Sequence, residues 1–344
     1  MGQGLLAARI PKIHLHCHLE GSLRASTFLE LAHKHGVPLR YKQADTSVDP
    51  SDPYGFQTLR EFLYIFAAVS RALKEPEDYA RLAREFVEDA LAQRVIYGEL
   101  FVSPSVWTFF NSALDVRATM EAITGELRAA QPAATFKLLP DLTRNFGAQS
   151  AMESARMAAG MTDLDVIGIS LGGDEAHFPA KHFVDAFAYA RACGLHCVAH
   201  AGEADGAGSV RDAIELLGAE RIGHGIRALE DAPTIELIGA RRVPLEICPT
   251  SNRRTGAALT DHPNPFLDFE RQGCVVTIDC DDPAIFGASI EHEYALVERV
   301  AGAGALERFV RNAIGATFAG NQEKRAMEAA VTAALAELPV AQRS

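Results

Sequence analysis

Lys12-Ile13-His14-Leu15-His16-Cys17-His18-Leu19-Glu20-Gly21 alternates apolar and polar side chains with a period of two, the pattern of a β-strand. Ile13, Leu15, Cys17 and Leu19 share one face, and Lys12, His14, His16, His18 and Glu20 share the other. His16 and His18 therefore project to the same side and can grip one metal ion. Three further clusters lie far downstream, each at the end of a strand-like run: His200-Ala201-Gly202-Glu203, Gly223-His224-Gly225 and Asp281-Asp282-Pro283. Together they point to a metal-dependent hydrolase whose chemistry sits on strand ends.

Working outward, strand-like and helix-like segments alternate along the chain. The expected strands are Lys12–His18, Val95–Ser103, Thr135–Leu142, Asp165–Leu171, His196–His200, Arg221–His224, Pro244–Cys248 and Cys274–Asp281. Between them lie amphipathic stretches such as Tyr79–Gln93, where Leu82, Phe86, Val87, Ala90 and Leu91 form an apolar stripe. Strands separated by helices fit a parallel (β/α)8 TIM barrel, with a doubly wound open sheet as the rival architecture. The motif positions favour the barrel, because His16, His18, Gly172-Gly173, His200, His224 and Asp281 all fall where barrel enzymes place their chemistry. Two segments lie outside the repeat. His35–Phe56, rich in Asp, Pro, Ser and Gly, and the helix-like Leu59–Leu73 suggest an inserted lid over residues 35–73, although Lys42–Asp52 reads equally well as a solvated loop. Residues 287–338 read as two or three Ala-rich helices closing the barrel, so the expectation is one domain over residues 1–344.

Composition narrows the class. The 344 residues are 48% hydrophobic and 23% charged, an ordinary globular balance with ample apolar material for a core. A formal net charge of −12 argues against a nucleic-acid backbone or an anionic membrane as partner. No apolar run reaches membrane-spanning length, and Met1–Ile10 is too short and too weakly apolar for a secretory signal. Of six cysteines, Cys17, Cys197, Cys248 and Cys280 fall in expected strands, which suggests reduced thiols and a cytoplasmic home. Nothing in the sequence bears on oligomeric state.

The residue types define a chemistry. His16, His18, His200 and Asp281 come from the first, fifth and eighth strands and would converge at the mouth of a barrel. Imidazole nitrogens and a carboxylate oxygen suit Zn2+, one per subunit. Four protein ligands plus water imply a five-coordinate centre, and such a metal lowers the pKa of its water to about 7. Glu203, three residues past His200, is placed to donate or accept a proton, and His224 to orient the nucleophile or take its proton. Asp282, next to a ligand, must turn elsewhere, toward a substrate. His14 shares the parity of His16 and His18 but lies deeper, and reads as a structural second layer. His177, His196, His262 and His292 read as structural or surface groups, and the cysteines as small packing residues. No GxSxG elbow, P-loop, GxGxxG fingerprint or cytidine-type H-x-E…P-C-x-x-C pattern is present.

Six ordered blocks carry a resemblance: His16-Cys-His-Leu-Glu-Gly21, Ser170-Leu-Gly-Gly-Asp-Glu175, His200-Ala-Gly-Glu203, Arg221-Ile-Gly-His-Gly225, Cys248-Pro-Thr-Ser-Asn252 and Asp279-Cys-Asp-Asp-Pro283. Over nearly its full length the chain resembles the adenosine deaminase family of the metal-dependent amidohydrolases. The resemblance implies a zinc-bearing barrel that hydrolyses the 6-amino group of a purine, with His16, His18, His200 and Asp281 on the metal. It implies that Glu203 protonates purine N1, that His224 and Asp281 orient the nucleophile toward C6, that Asp282 meets N7, and that the Gly173 N–H meets N3. Glu20 stands where adenosine-acting relatives commonly carry an Asp on the ribose 5′ side, and Phe101 replaces an Arg of the second-strand pattern. Both changes resemble relatives acting on adenine or aminodeoxyfutalosine, whereas Gly172-Gly173-Asp174-Glu175 keeps the nucleoside-type loop. Arg144 either reaches an acidic 5′ substituent or serves a structural ion pair. The expected activity is therefore deamination of adenosine or 2′-deoxyadenosine, with aminodeoxyfutalosine and then adenine as alternatives. A catalytically silent purine-binding barrel would be expected to lack a ligand or Glu203, and all are present. A phosphoesterase or amidase would have no use for Gly173 and Asp282.

Overall fold

The computed structural model describes residues 6–38, 52–56 and 59–337. Parallel strands follow one another in chain order: β1 (Lys12–His14), β2 (Val95–Val102), β3 (Thr135–Thr143), β4 (Gly168–Gly172), β5 (His196–Ala201), β6 (Arg221–His224), β7 (Leu245–Ile247) and β8 (Val276–Ile278). Each pairs with the next. First and last meet through a Cys17–Asp281 bridge, with His18 N donating to Asp281 O at 2.9 Å and Asp281 N to His16 O at 3.1 Å. The sheet closes on itself, and the (β/α)8 barrel rather than the open sheet is the architecture.

Several strands are shorter than their hydrophobic patterns suggest. β1 leaves the regular ladder after His14, so His16 and His18 lie beyond it on a stretch that carries the isolated bridges Cys17–Asp281 and His18–Phe101. β8 stops at Ile278, and Asp281 adopts a left-handed φ of 66°. The pleat breaks where the side chains must turn into the mouth. Pro104 and Pro249 each start a helix two residues after a strand end, and Pro283 starts one five residues after β8 (Pro104–Phe110, Pro249–Arg254, Pro283–Phe286). Proline at a first helical position costs no hydrogen bond and holds the preceding residue extended.

Inside the barrel, Phe101, Leu139 and Val198 form a small apolar cluster with Phe318 packed against it. It is separate from the larger core between strands and surrounding helices. Deeper, the lumen is polar. Arg221 donates to Glu99 Oε2 and to Glu246 Oε1, both at 2.5 Å. Phe318 lies under this network: its ring centroid is 4.0 Å from the Arg221 guanidinium, it stacks on His196 at 3.9 Å, and its N–H donates to Glu99 Oε1 at 2.6 Å. It is carried there by the C-terminal segment, whose helices are Ile290–Ala301, Ala303–Ala316 and Asn321–Ala336.

Within the inserted segment, the helix Leu59–Ala72 is present, and most of Lys42–Asp52 lies outside the described residues. Phe62 stacks on Phe286 at 4.9 Å, and Phe66 sits edge-on to His18 at 6.3 Å. The helix therefore stands beside the barrel mouth. No helix among the described residues is long and apolar enough to cross a membrane.

Candidate metal centre

Strands β1, β5, β6 and β8 bring five side chains together. Donor atoms of His16, His200, His224 and Asp281 all lie within 4.8 Å of one another. His18 Nε2 is 3.1 Å from His200 Nε2 and 3.5 Å from Asp281 Oδ1. Every one of these groups is buried except His18, which is partly so.

Their partners fix which atoms are free to bind. His16 Nδ1 faces Glu246 Oε2 at 2.9 Å, and a carboxylate can only accept, so Nδ1 carries the proton. That leaves Nε2, buried and with no hydrogen-bond partner among the described residues, aimed at Asp281 Oδ1 3.4 Å away. His200 Nδ1 donates to the Leu171 carbonyl at 3.1 Å, freeing its Nε2 as well. Burial pushes His18 down to about 4, and burial together with the neighbouring imidazoles pushes His200 well below the usual histidine value. Two neutral imidazoles thus face each other across 3.1 Å with an orphaned third nitrogen nearby. Burial opposes the charged form of Asp281, but His16 above all holds its carboxyl well below the usual range. Three imidazole nitrogens and an anionic oxygen fit a divalent cation, and the set His16, His18, His200 and Asp281 suits zinc.

His224 differs. The Asn252 amide donates to its Nδ1 at 2.9 Å, so Nε2 carries the ring proton and has no lone pair for a metal. That Nε2 lies 3.6 Å from Glu203 Oε2 and 3.9 Å from Asp281 Oδ2. Burial, reinforced by His16, pushes His224 down to about 3. A neutral donor is what results. His224 also has a φ of 59°, a left-handed conformation that costs a non-glycine residue about 1 kcal/mol or more. Glu203 is pushed up to about 8, first by burial and then by the charges of Asp281 and Glu175. It is a carboxylic acid at neutral pH, beside the donor cluster.

Of the other expected residues, Asp282 is buried with Oδ1 unpartnered among the described residues, its carboxyl raised well above the ordinary value by burial and then by Asp281. Gly173 has a φ of 99° after β4, a conformation that favours glycine. Glu20 is fully buried: Oε1 accepts from Ser103 N at 2.8 Å and Trp107 Nε1 at 2.6 Å, while Oε2 is unpartnered among the described residues. Phe101 packs its ring against His16, His18 and His200 at 4.9, 5.1 and 5.4 Å. Arg144 forms no ion pair among the described residues. Its guanidinium is buried and donates to the Phe178 carbonyl at 2.7 Å and the His200 carbonyl at 2.8 Å. His14 is a second-layer group, with Nδ1 2.6 Å from Asp279 Oδ1.

Four residues with no role in the sequence reading hold the site in shape. Glu246 orients His16. Ser251 Oγ donates to Asp281 Oδ2 at 2.6 Å, and Asn252 sets the tautomer of His224. Glu175 accepts from the backbone N–H groups of Gly202, Glu203, Ala204 and Asp205 at 2.5 to 3.1 Å, pinning the loop that carries Glu203. The visible signal for Glu246 is a charged residue inside the otherwise apolar run Leu245-Glu246-Ile247.

The chain also has close relatives in sequence and shape. The family model described as adenosine deaminase matches residues 11–334. An adenosine deaminase of Clostridium botulinum is 33% identical over 94% of this chain and 97% of its own length. An aminodeoxyfutalosine deaminase of Streptomyces coelicolor is 34% identical over 90% of this chain and 81% of its own. Among solved structures, the adenine deaminase of Arthrobacter aurescens superimposes with a TM-score of 0.86 at 27% identity, covering 94% of this chain and 98% of that one.

Proposed function

This chain belongs to the adenosine deaminase family of metal-dependent hydrolases, and from that premise we propose that it deaminates a 6-aminopurine nucleoside, adenosine or 2′-deoxyadenosine, to the 6-oxopurine and ammonia. The observation that carries the reading is the placement of Glu203, a half-buried carboxyl 3.6 Å from His224 Nε2 beside the donor cluster, raised to about 8 first by burial. Zinc bound by His16, His18, His200 and Asp281 would acidify a coordinated water into the neutral range. Protonated Glu203 donates to purine N1, so that charge arriving at the ring on attack at C6 meets a proton already in place. Such a donor favours the transition state over the ground state. The His224 Nε2–H, directed between Glu203 and Asp281, orients the attacking oxygen. Asp282 offers its free oxygen to N7, and Gly173 its N–H to N3. The helix Leu59–Ala72, with Phe62 and Phe66 on the mouth, serves as a lid that keeps bulk water out. Six free cysteines, five of them buried, support a reducing cytoplasmic home.

A second substrate, aminodeoxyfutalosine, is favoured by Phe101 standing against the three histidines and by the Streptomyces coelicolor relative. Ammonia release from the zinc-loaded protein on adenosine, 2′-deoxyadenosine, adenine, AMP and aminodeoxyfutalosine, ranked by kcat/KM, tests both. Adenosine or deoxyadenosine should lead, and leadership by aminodeoxyfutalosine would replace the substrate while keeping the chemistry. Turnover should fall above pH about 8 as Glu203 loses its proton. Glu203→Gln should lose about 10²–10⁴-fold in kcat while still binding zinc and nucleoside. Zinc-loaded protein that releases ammonia from none of the five purines would end the reading.

A further inference from the structure

Three carboxylates near the mouth each carry an oxygen without a hydrogen-bond partner among the described residues, although all are more than nine-tenths buried: Glu20 Oε2, Asp141 Oδ1 and Asp282 Oδ1. A buried acceptor left unpaired is costly, and such atoms call for a ligand, an ion or water. Glu20 and Asp282 already have places in the reading above. Asp141 has none.

Asp141 lies near the C-terminal end of β3, two residues beyond Leu139 of the apolar cluster inside the barrel and therefore on the same face of the strand. In the ladder it stands opposite Ser170 of β4. The neighbouring strand leaves room for it: a Cβ on Gly172 would stand 2.6 Å from Asp141 Oδ2. The Arg144 guanidinium, which draws it down, is turned to the carbonyls of Phe178 and His200. The charge of Glu20 also raises it. Burial, with a further push from Glu20 and opposed by the Ser170 hydroxyl, brings Asp141 up to about 7. A group so placed either accepts or donates a hydrogen bond with equal ease.

We infer that Asp141 is a substrate-binding, specificity-determining residue: its free Oδ1 bonds a sugar hydroxyl of the nucleoside, and with Glu20 it forms an acidic wall that refuses a phosphate at that end. The inference rests on the nucleoside reading above, which assigns Glu203, Asp282 and Gly173 to the base edges and leaves the sugar without a protein partner.

The test uses full-length zinc-loaded protein with Asp141→Ala and Asp141→Asn, against adenosine, its 2′-, 3′- and 5′-deoxy analogues, adenine and AMP. Asp141→Ala should lower kcat/KM on adenosine by about tenfold to a hundredfold, mainly through KM, the size expected for one hydrogen bond to an acidic group. The deficit should shrink to within about threefold, the size of a neutral weak contact, on adenine and on the one analogue lacking the hydroxyl concerned. Asp141→Asn should raise the preference for AMP relative to adenosine. Calorimetric binding of inosine and hypoxanthine reads the same contrast without turnover, inosine weakening in Asp141→Ala and hypoxanthine holding. An equal loss on every substrate including adenine, or no loss on any, overturns the role of Asp141 alone. Wild-type protein inactive on all of them removes the nucleoside reading, and this inference with it.

Discussion

Glu246 accepts from His16 with one oxygen and from Arg221 with the other, so a single side chain sets both the direction of a ligand ring and the charge behind it. An amide cannot do both, because its nitrogen would face a donor. Glu246→Gln should therefore weaken zinc binding by about 10–100-fold, measured by competition with a chromophoric chelator, with folding checked by circular dichroism. Unchanged affinity would mean that His16 is held by packing against Phe101 instead. The cluster of His16, His18, His200 and Asp281 was legible because histidine and aspartate at strand ends are chemically specific. Glu246, Ser251, Asn252 and Glu175 were not, because each acts on the chemistry through another residue, Glu246 across 230 positions of sequence. Arg144 shows the opposite ambiguity. A lone arginine at a strand end has no spacing that separates a phosphate contact from a carbonyl clamp, and only the position of the His200 carbonyl decides it.

Loops decide how the ligand-bearing ends are held. The segment from Gly202 to Asp205 has its N–H groups gathered onto one carboxylate, that of Glu175 in the preceding strand-to-helix connection. Truncating it by Glu175→Ala leaves those donors unpaired and lets Glu203 drift. We expect kcat to fall by about 10²-fold, the size of effect a displacement of order 1 Å brings, with zinc content unchanged by elemental analysis. Loss of zinc together with activity would instead place Glu175 in the support of His200. Element identity was readable from periodicity: the helix expected at Tyr79–Gln93 is observed as Pro76–Ala92. Strand ends were not, for a physical reason. The apolar alternation continues through Leu15, Cys17 and Leu19 because those side chains stay buried, although the backbone has left the ladder. Alternation reports burial, and only hydrogen bonding reports strand.

The whole barrel buries an unusual quantity of charge, and its stability should show it. Glu293, on the helix Ile290–Ala301, is fully buried, and burial raises it from 4.5 to about 7, with Thr250 and Arg253 offsetting only part. Between those values the folded chain keeps a proton that the unfolded chain releases. This group's penalty is absent below pH 4.5, grows as pH rises and is complete above about 7. Glu293→Gln should match the wild type near pH 4.5 and exceed it by up to ~3 kcal/mol at pH 8, read from urea unfolding at the two pH values. A difference that does not vary with pH would assign the effect to packing. The closed barrel itself was legible from the order of the segments, whereas its polar interior was not, since Glu99, Arg221 and Glu246 lie in three separate strands. The floor of that interior carries a consequence for synthesis. Phe318 comes after His16, His18, His200 and Asp281 in the chain, yet it seats the arginine that steadies the glutamate behind His16. A ribosome delivers His16, His18, His200 and Asp281 before it delivers their foundation. In the growing chain that cluster lacks its floor until residue 318 has been made.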